Sequence, residues 1–213
     1  MAMRRVFLIS GHNGSGTGAN GFIDEGKETV ILRDLIAENL KEMGIVAIKD
    51  DNLTPLTKVV QWLRNQITKK DICIDIHFNA STNPNANGSE VFIPTKNTYD
   101  EVELANMFRI TLSKVFKDRG VSLESKSHHG KIAMLSGFDC CNILLEVCFV
   151  SNKLDSENYF EKRDFIAYEL ALDILEYSRK YETQLHTNNH YHFADSWCMV
   201  VPIQKQRQRA SFL

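Results

Sequence analysis

Two histidines and a glutamate stand at matching points of three separate apolar runs: Phe7-Leu8-Ile9-Ser10-Gly11-His12, Ile72-Cys73-Ile74-Asp75-Ile76-His77 and Ile143-Leu144-Leu145-Glu146-Val147-Cys148-Phe149. Isoleucines alternate with Cys73, Asp75 and His77, which is the two-residue period of a strand. His77 then falls at the carboxyl end of its strand, where open α/β sheets place their ligand crevices. Imidazoles and carboxylates meeting at one sheet edge are the donor set of a zinc hydrolase, in which three protein ligands leave a tetrahedral position open. His12, His77 and one carboxylate supply those three. Zinc brings the pKa of a bound water to about 7, and a second acid must then carry the proton to the leaving amine. Glu146 suits that second role, since an ionised carboxylate among Leu144, Leu145, Val147 and Phe149 is costly unless paired or near a metal. Asp75 shares a strand face with His77 and either orients that imidazole or is a satisfied polar group.

The elements that must carry these residues follow from periodicity. Arg5–Ser10 reads as the first strand, and a glycine-rich loop from Gly11 to Gly21 follows. That loop lacks the Lys-Ser/Thr ending of a phosphate-binding loop, and its glycines do not follow the dinucleotide fingerprint. A helix is expected from Asp24-Glu25 to about Met43, with Leu32, Leu35, Ile36 and Leu40 on its apolar stripe. Further strands are expected at Ile45–Ile48, Ile72–Ile76, Glu90–Ile93, Ile132–Leu135 and Ile143–Phe149. Thr54-Pro55 reads as a helix entry, with Leu56, Val59, Val60, Leu63 and Ile67 on the buried side. Thr98 and Glu101 have capping-box spacing and open a third helix, closed by Arg119-Gly120. A last helix runs from about Glu157 to Tyr181. Strands alternating with helices imply an α/β domain whose largely parallel sheet is covered on both faces.

At 213 residues the chain suffices for one such domain, assigned to residues 1–182, with a C-terminal tail over 183–213. A net charge of −2 gives no reason to expect a nucleic-acid partner. Five cysteines, an odd number, do not make a disulfide framework. The apolar run after Arg5 is too short for a signal peptide, and no stretch is long enough to span a bilayer, so synthesis in the cytoplasm is expected. The tail contains His186, His190 and His192 and an apolar Trp197–Val201, expected to be solvated or to dock weakly.

These residues together resemble the amidase 3 type of zinc-dependent N-acetylmuramoyl-L-alanine amidase, found among bacterial cell-wall hydrolases and phage endolysins. The motifs that carry the likeness are Ser10-Gly11-His12, the Gly18-Ala19 loop leading to an acidic helix start, Asp75-Ile76-His77-Phe78-Asn79-Ala80, Asp118-Arg119-Gly120-Val121, and Leu144-Leu145-Glu146-Val147-Cys148-Phe149-Val150-Ser151-Asn152. The resemblance implies a six-stranded, mainly parallel, phosphorylase/hydrolase-like sheet and one Zn²⁺ held by His12, Glu25 and His77. It implies Glu146 as catalytic acid/base, peptidoglycan as substrate, and cleavage of the amide between N-acetylmuramic acid and L-alanine. Asn79 is expected to contact substrate. Asp24 and Glu28 compete with Glu25 for the third ligand position, and Asp75 stands where a serine is common in the family. Release through a holin-type pore is the route to the wall that the family implies. Two alternatives keep the fold: a zinc amidase acting on a non-murein amide, and a non-catalytic murein-binding module.

Overall fold

In the computed structural model, strands alternate with helices to build one six-stranded sheet. Residues 4–12, 17–52, 55–128 and 130–189 are described, with side chains through Lys180. The strands are β1 (Val6–Ser10), β2 (Ala47–Lys49), β3 (Ile72–Asn79), β4 (Ser89–Ile93), β5 (Asp118–Leu123) and β6 (Cys141–Phe149). The helices are α1 (Glu25–Glu42), α2 (Leu56–Arg64), α3 (Tyr99–Leu112) and α4 (Lys153–Asn189). Spatial order is β2-β1-β3-β6-β4-β5. The first four strands are parallel, while β4 lies antiparallel to β6 and carries β5 parallel to itself. The sheet is thus mainly parallel, as expected.

Its two faces are covered unequally. On one, the alternate residues Leu8, Ile74, Ile76 and Leu145 pack under α1, α3 and α4 through Leu32, Phe108 and Leu170. On the other, Phe7, Ile9 and Cys73 pack with Val59, Val60 and Leu63 of α2 and with Met134 and Cys140. Leu144 and Phe92 are closed off by Leu135. The apolar cover is therefore concentrated over the lower part of this face, and His77 and Glu146 follow Cys73 and Leu144 upward in the same two-residue steps.

Several local expectations are met and others corrected. Asp24 caps α1, its side chain accepting from the Lys27 N–H at 3.3 Å, and the Thr98/Glu101 capping box opens α3. Leu56, expected to be buried, is 56% exposed because it is the first helical residue and lies off the Val59–Val60–Leu63 stripe. Thr54 lies outside the described residues.

The fifth strand is not Ile132–Leu135 but Asp118–Leu123. The 132–135 run is a turn whose Leu135 and Met134 are buried by packing onto the sheet face, so its apolarity reflects cover rather than pairing. Accordingly α3 stops at Leu112, not at Arg119-Gly120. Helix α4 starts at Lys153 and continues to Asn189, past the expected end. Two compact units are separable, residues 1–180 and 181–213. His186 lies on the helical backbone, whereas His190, His192 and Trp197–Val201 fall outside the described residues. Cys73, Cys140, Cys141 and Cys148 are buried free thiols, and burial pushes the Cys140 thiol up to about 12, which leaves it a small hydrophobe.

Candidate metal centre

β1 hands its chain to a turn in which His12 takes a left-handed backbone, φ 54°. Such a conformation in a residue with a side chain costs roughly 1–3 kcal/mol and concentrates at functional sites. Here it brings the His12 ring to 5.3 Å from the His77 ring, edge to face. Two glycines make the approach possible. A Cβ on Gly11 would stand 2.2 Å from His77 Nε2, and one on Gly18, whose φ is +75°, would stand 2.6 Å from Glu25 Oε2 and 2.7 Å from His12 Cβ.

Glu25 is the first residue of α1, where unpaired backbone N–H groups and the helix dipole favour an acid. Its carboxylate turns back toward the sheet. Oε2 accepts from the Ala19 N–H at 2.7 Å, and Oε1 from the Phe78 N–H at 3.1 Å. Thr29 Oγ1 donates to Gly11 O at 2.8 Å and ties the helix to the His12 turn. Burial opposes ionisation of Glu25, but His77 and the two N–H donors outweigh it and hold the carboxyl below its ordinary range.

His77 carries a carboxylate at each nitrogen: Glu25 Oε1 at 3.2 Å from Nδ1, and Asp75 Oδ2 at 3.1 Å from Nε2. Burial favours neutral imidazole, yet Asp75, Glu25 and Glu146 raise its pKa well above the usual value. Glu146 is the direct register partner of His77 across the β3–β6 ladder. Its Oε2 is buried without a hydrogen-bond partner among the described residues. Burial, aided by Glu25, Asp75 and Glu90 against the pull of His77, pushes this carboxyl up to about 7.

One donor atom each from His12, Glu25 and His77 lies within 4.8 Å of the others. Of the three competing carboxylates, Asp24 is engaged in capping, and Glu28 accepts from Tyr159 Oη at 3.2 Å and Arg163 Nη1 at 3.1 Å. Only Glu25 joins the histidines. Two nitrogens and one carboxylate oxygen are a donor set zinc accepts. Glu25, Asp75 and Glu146 also outnumber the two imidazoles, a surplus of negative charge that a divalent cation offsets. The residues present fit the ion.

Asn79 ends β3 half-buried, its Oδ1 accepting from the Ala80 N–H at 2.8 Å. The following loop is held by the start of α4. Ser81 N–H donates to Ser151 Oγ at 3.1 Å, Asn152 Nδ2 to Pro84 O at 3.0 Å, and Gly88 N–H to Asp155 Oδ2 at 2.8 Å.

Sequence reasoning missed Glu90, Ser122 and Arg119 as neighbours of the site. Glu90 faces Glu146 across the antiparallel β4–β6 ladder. It accepts from Ser122 Oγ at 2.7 Å and lies 3.6 Å from Arg119 Nε, while the Arg119 guanidinium sits 5.0 Å over the Phe149 ring. The signal available was a charge at the head of an apolar run, but no pattern told which strand β4 would join.

Comparison with known proteins gives concordant results. The family model described as N-acetylmuramoyl-L-alanine amidase matches residues 6–175. A curated Clostridium perfringens relative, described as an uncharacterized 38.4 kDa protein, is 26% identical over 179 residues. That match covers 80% of this chain and 50% of the relative, so the chain spans about half the relative's length. Among solved structures, the chain is similar to the N-acetylmuramoyl-L-alanine amidase from Clostridium difficile 630, with a TM-score of 0.71 at 20% identity over 82% of this chain and 96% of that one. AmiC2 of Nostoc punctiforme gives 0.70 at 21%, covering 83% and 97%. The catalytic domain of the CD27L endolysin targeting Clostridia Difficile gives 0.66 at 21%, covering 82% and 98%. Likenesses at such identity show the fold.

Proposed function

Because the chain belongs to the N-acetylmuramoyl-L-alanine amidase family, we propose that it hydrolyses the amide joining N-acetylmuramic acid to L-alanine in peptidoglycan, using one zinc ion. His12, Glu25 and His77 would hold the ion and Glu146 would act as general acid/base. The observation that carries this reading is the convergence of the three donor atoms within 4.8 Å on a strand whose His77 pairs with Glu146.

When bound there, zinc supplies Lewis-acid polarisation of the scissile carbonyl and a water that ionises near neutral pH. The chain does the rest. The unpartnered Oε2 of Glu146 takes a proton from the attacking water and passes it to the departing amine nitrogen of L-alanine. A half-buried acid with a buried Oε2 suits both halves of that transfer, since its apolar neighbours keep the proton from being lost to solvent. Glu25, fixed by two backbone N–H groups and α1, keeps its place throughout. Asn79 Nδ2, at the exit of β3, would bind a substrate carbonyl.

Residues 1–182 would form the catalytic unit, with 183–213 dispensable for turnover. No helix among the described residues is long and apolar enough to cross a membrane, and release through a holin-type pore is the proposed route to the wall. The decisive experiment is mass spectrometry of murein digested with and without a chelator. New L-alanine amino termini that vanish on chelation and return with Zn²⁺ are expected. Zinc-loaded protein that yields none from murein but cleaves simple acylated peptides would replace the substrate assignment. A chain truncated at Glu182 should match the full chain in the same digest.

A further inference from the structure

Asp75 lies where an acid is hardest to accommodate. Its residue is 3% exposed. Its register partners on the two flanking strands are Ile9 and Leu144, both buried and apolar. Oδ1 is buried with no hydrogen-bond partner. Among the described residues, the carboxylate's one side-chain hydrogen-bond contact is Oδ2 to His77 Nε2, at 3.1 Å. A carboxylate in such a slot costs the fold free energy that a single hydrogen bond does not return, so its presence is not accounted for by stability.

We propose that Asp75 is a positioning residue: by accepting from Nε2–H it fixes the tautomer and plane of His77, so that Nδ1 is the nitrogen presented to Glu25 and His12. The geometry supports each part. Nδ1 is the nitrogen 3.2 Å from Glu25 Oε1, hence on the side of the three-donor cluster, and Nε2 is the nitrogen 3.1 Å from Asp75 Oδ2. Asp75 and His77 project from the same side of β3, two residues apart, so the strand itself sets their spacing. Gly11 closes the ring from above, since a Cβ there would lie 2.2–2.5 Å from Nε2, Cε1 and Cδ2. The imidazole is therefore gripped by backbone on one side and by a carboxylate at its far nitrogen. A partner of this kind makes a ligating imidazole more basic and fixes its direction, and its loss costs about 10–100-fold in metal affinity.

The inference rests on the reading above only in taking His77 as a zinc ligand. The test is the Zn²⁺ affinity of the full chain, by competition with a chromogenic chelator, beside the thermal midpoint of the metal-free protein, for wild type, Asp75→Asn and Asp75→Ala. Asp75→Asn keeps an acceptor oxygen at nearly the same volume and should lose about tenfold in affinity. Asp75→Ala has no acceptor and should approach a hundredfold loss. The metal-free midpoints report separately what the Asp75–His77 pair contributes to the fold. Affinities within twofold of wild type in both variants, whatever their midpoints, would overturn the proposal. If Asp75→Ala does not fold, the near-isosteric Asp75→Asn decides alone. A wild-type chain that binds no zinc would remove the metal reading and this inference with it. Zinc binding that weakens in the expected order without any release of L-alanine termini from murein would sustain Asp75's role and overturn the substrate assignment.

Discussion

Two polar clusters sit near the carboxyl end of β1, and they are finished to different degrees. In the first, every guanidinium nitrogen of the buried Arg33 is engaged. Nη1 donates to Ser10 Oγ, Asp50 O and Asp50 Oδ1, Nη2 to Asp34 and Asn52, and Nε to Asp34. Asp50 in turn accepts from the Ser10 N–H and hydroxyl. In the second, around His77, two carboxylates each keep an oxygen without a partner, Asp75 Oδ1 and Glu146 Oε2, and acids outnumber bases. With Lys49 Nζ 2.9 Å from Asp34 Oδ1, two cations meet two carboxylates in the first cluster, so it balances its own charge and hydrogen bonds. The other keeps acids in excess and two oxygens unpaired among the described residues, and it is where donor atoms of His12, Glu25 and His77 converge.

The comparison is broken most severely at Glu146. Glu146→Gln should lower turnover on murein about 10²–10⁴-fold while zinc content and thermal midpoint hold or rise. A variant that lost its midpoint along with its activity would place Glu146 with the structural acids instead. Asp50→Ala should behave in the opposite way. It strands a buried guanidinium and should cost about 3–5 kcal/mol, a fall of roughly 10 °C in a chain of this size, with turnover per folded molecule retained at low temperature. Gly11→Ala tests the grip on the ring. The added Cβ would overlap the His77 imidazole, so about 1–3 kcal/mol of stability and most of the zinc affinity should be lost together.

The smallest effect is a control. Asp173 on α4 also has a buried, unpartnered oxygen, Oδ2, but no imidazole beside it, and burial pushes its carboxyl up to about 6. With a folded pKa above the unfolded value of about 3.9, the native state holds the proton that the unfolded chain releases. Asp173's contribution to stability should therefore decline as pH rises from about 4 to 6 and level off above, apart from the later decline due to Glu146. Asp173→Asn should abolish that decline and gain about 1–2 kcal/mol at pH 7 without touching activity, as thermal melts across pH would show. An orphaned oxygen alone does not make a site; convergence with other donors does.

Much of this was legible from residue order. The strands bearing His12, His77 and Glu146, the helix opened by Asp24 and the capping box of Thr98 and Glu101 all lie where period and capping chemistry placed them. β5 escaped because a half-exposed edge strand, Asp-Arg-Gly-Val-Ser-Leu, lacks the apolar alternation of a covered one. The Ile132–Leu135 run misled for the complementary reason: it is buried by lying across a sheet face, and burial without pairing leaves the same apolar signature. Choosing Glu25 over Asp24 and Glu28 was beyond spacing alone. Asp24, Glu25 and Glu28 are too close in sequence for spacing to separate them; what does is that Asp24 is taken up by the helix cap and Glu28 by Tyr159 and Arg163 of α4, contacts that only packing decides.

From order alone came what the chain has to work with: strand-borne histidines, a buried acid on an apolar strand, an acidic helix start and glycines that admit close approach. These follow from local sterics and from the need to bury apolar side chains. Tertiary structure alone decided which groups meet. Pairing β3 with β6 put His77 beside Glu146, and turning β4 antiparallel brought Glu90 up to Glu146. Such neighbours are remote in the chain, and their interaction depends on distance and burial in three dimensions, which no local pattern encodes.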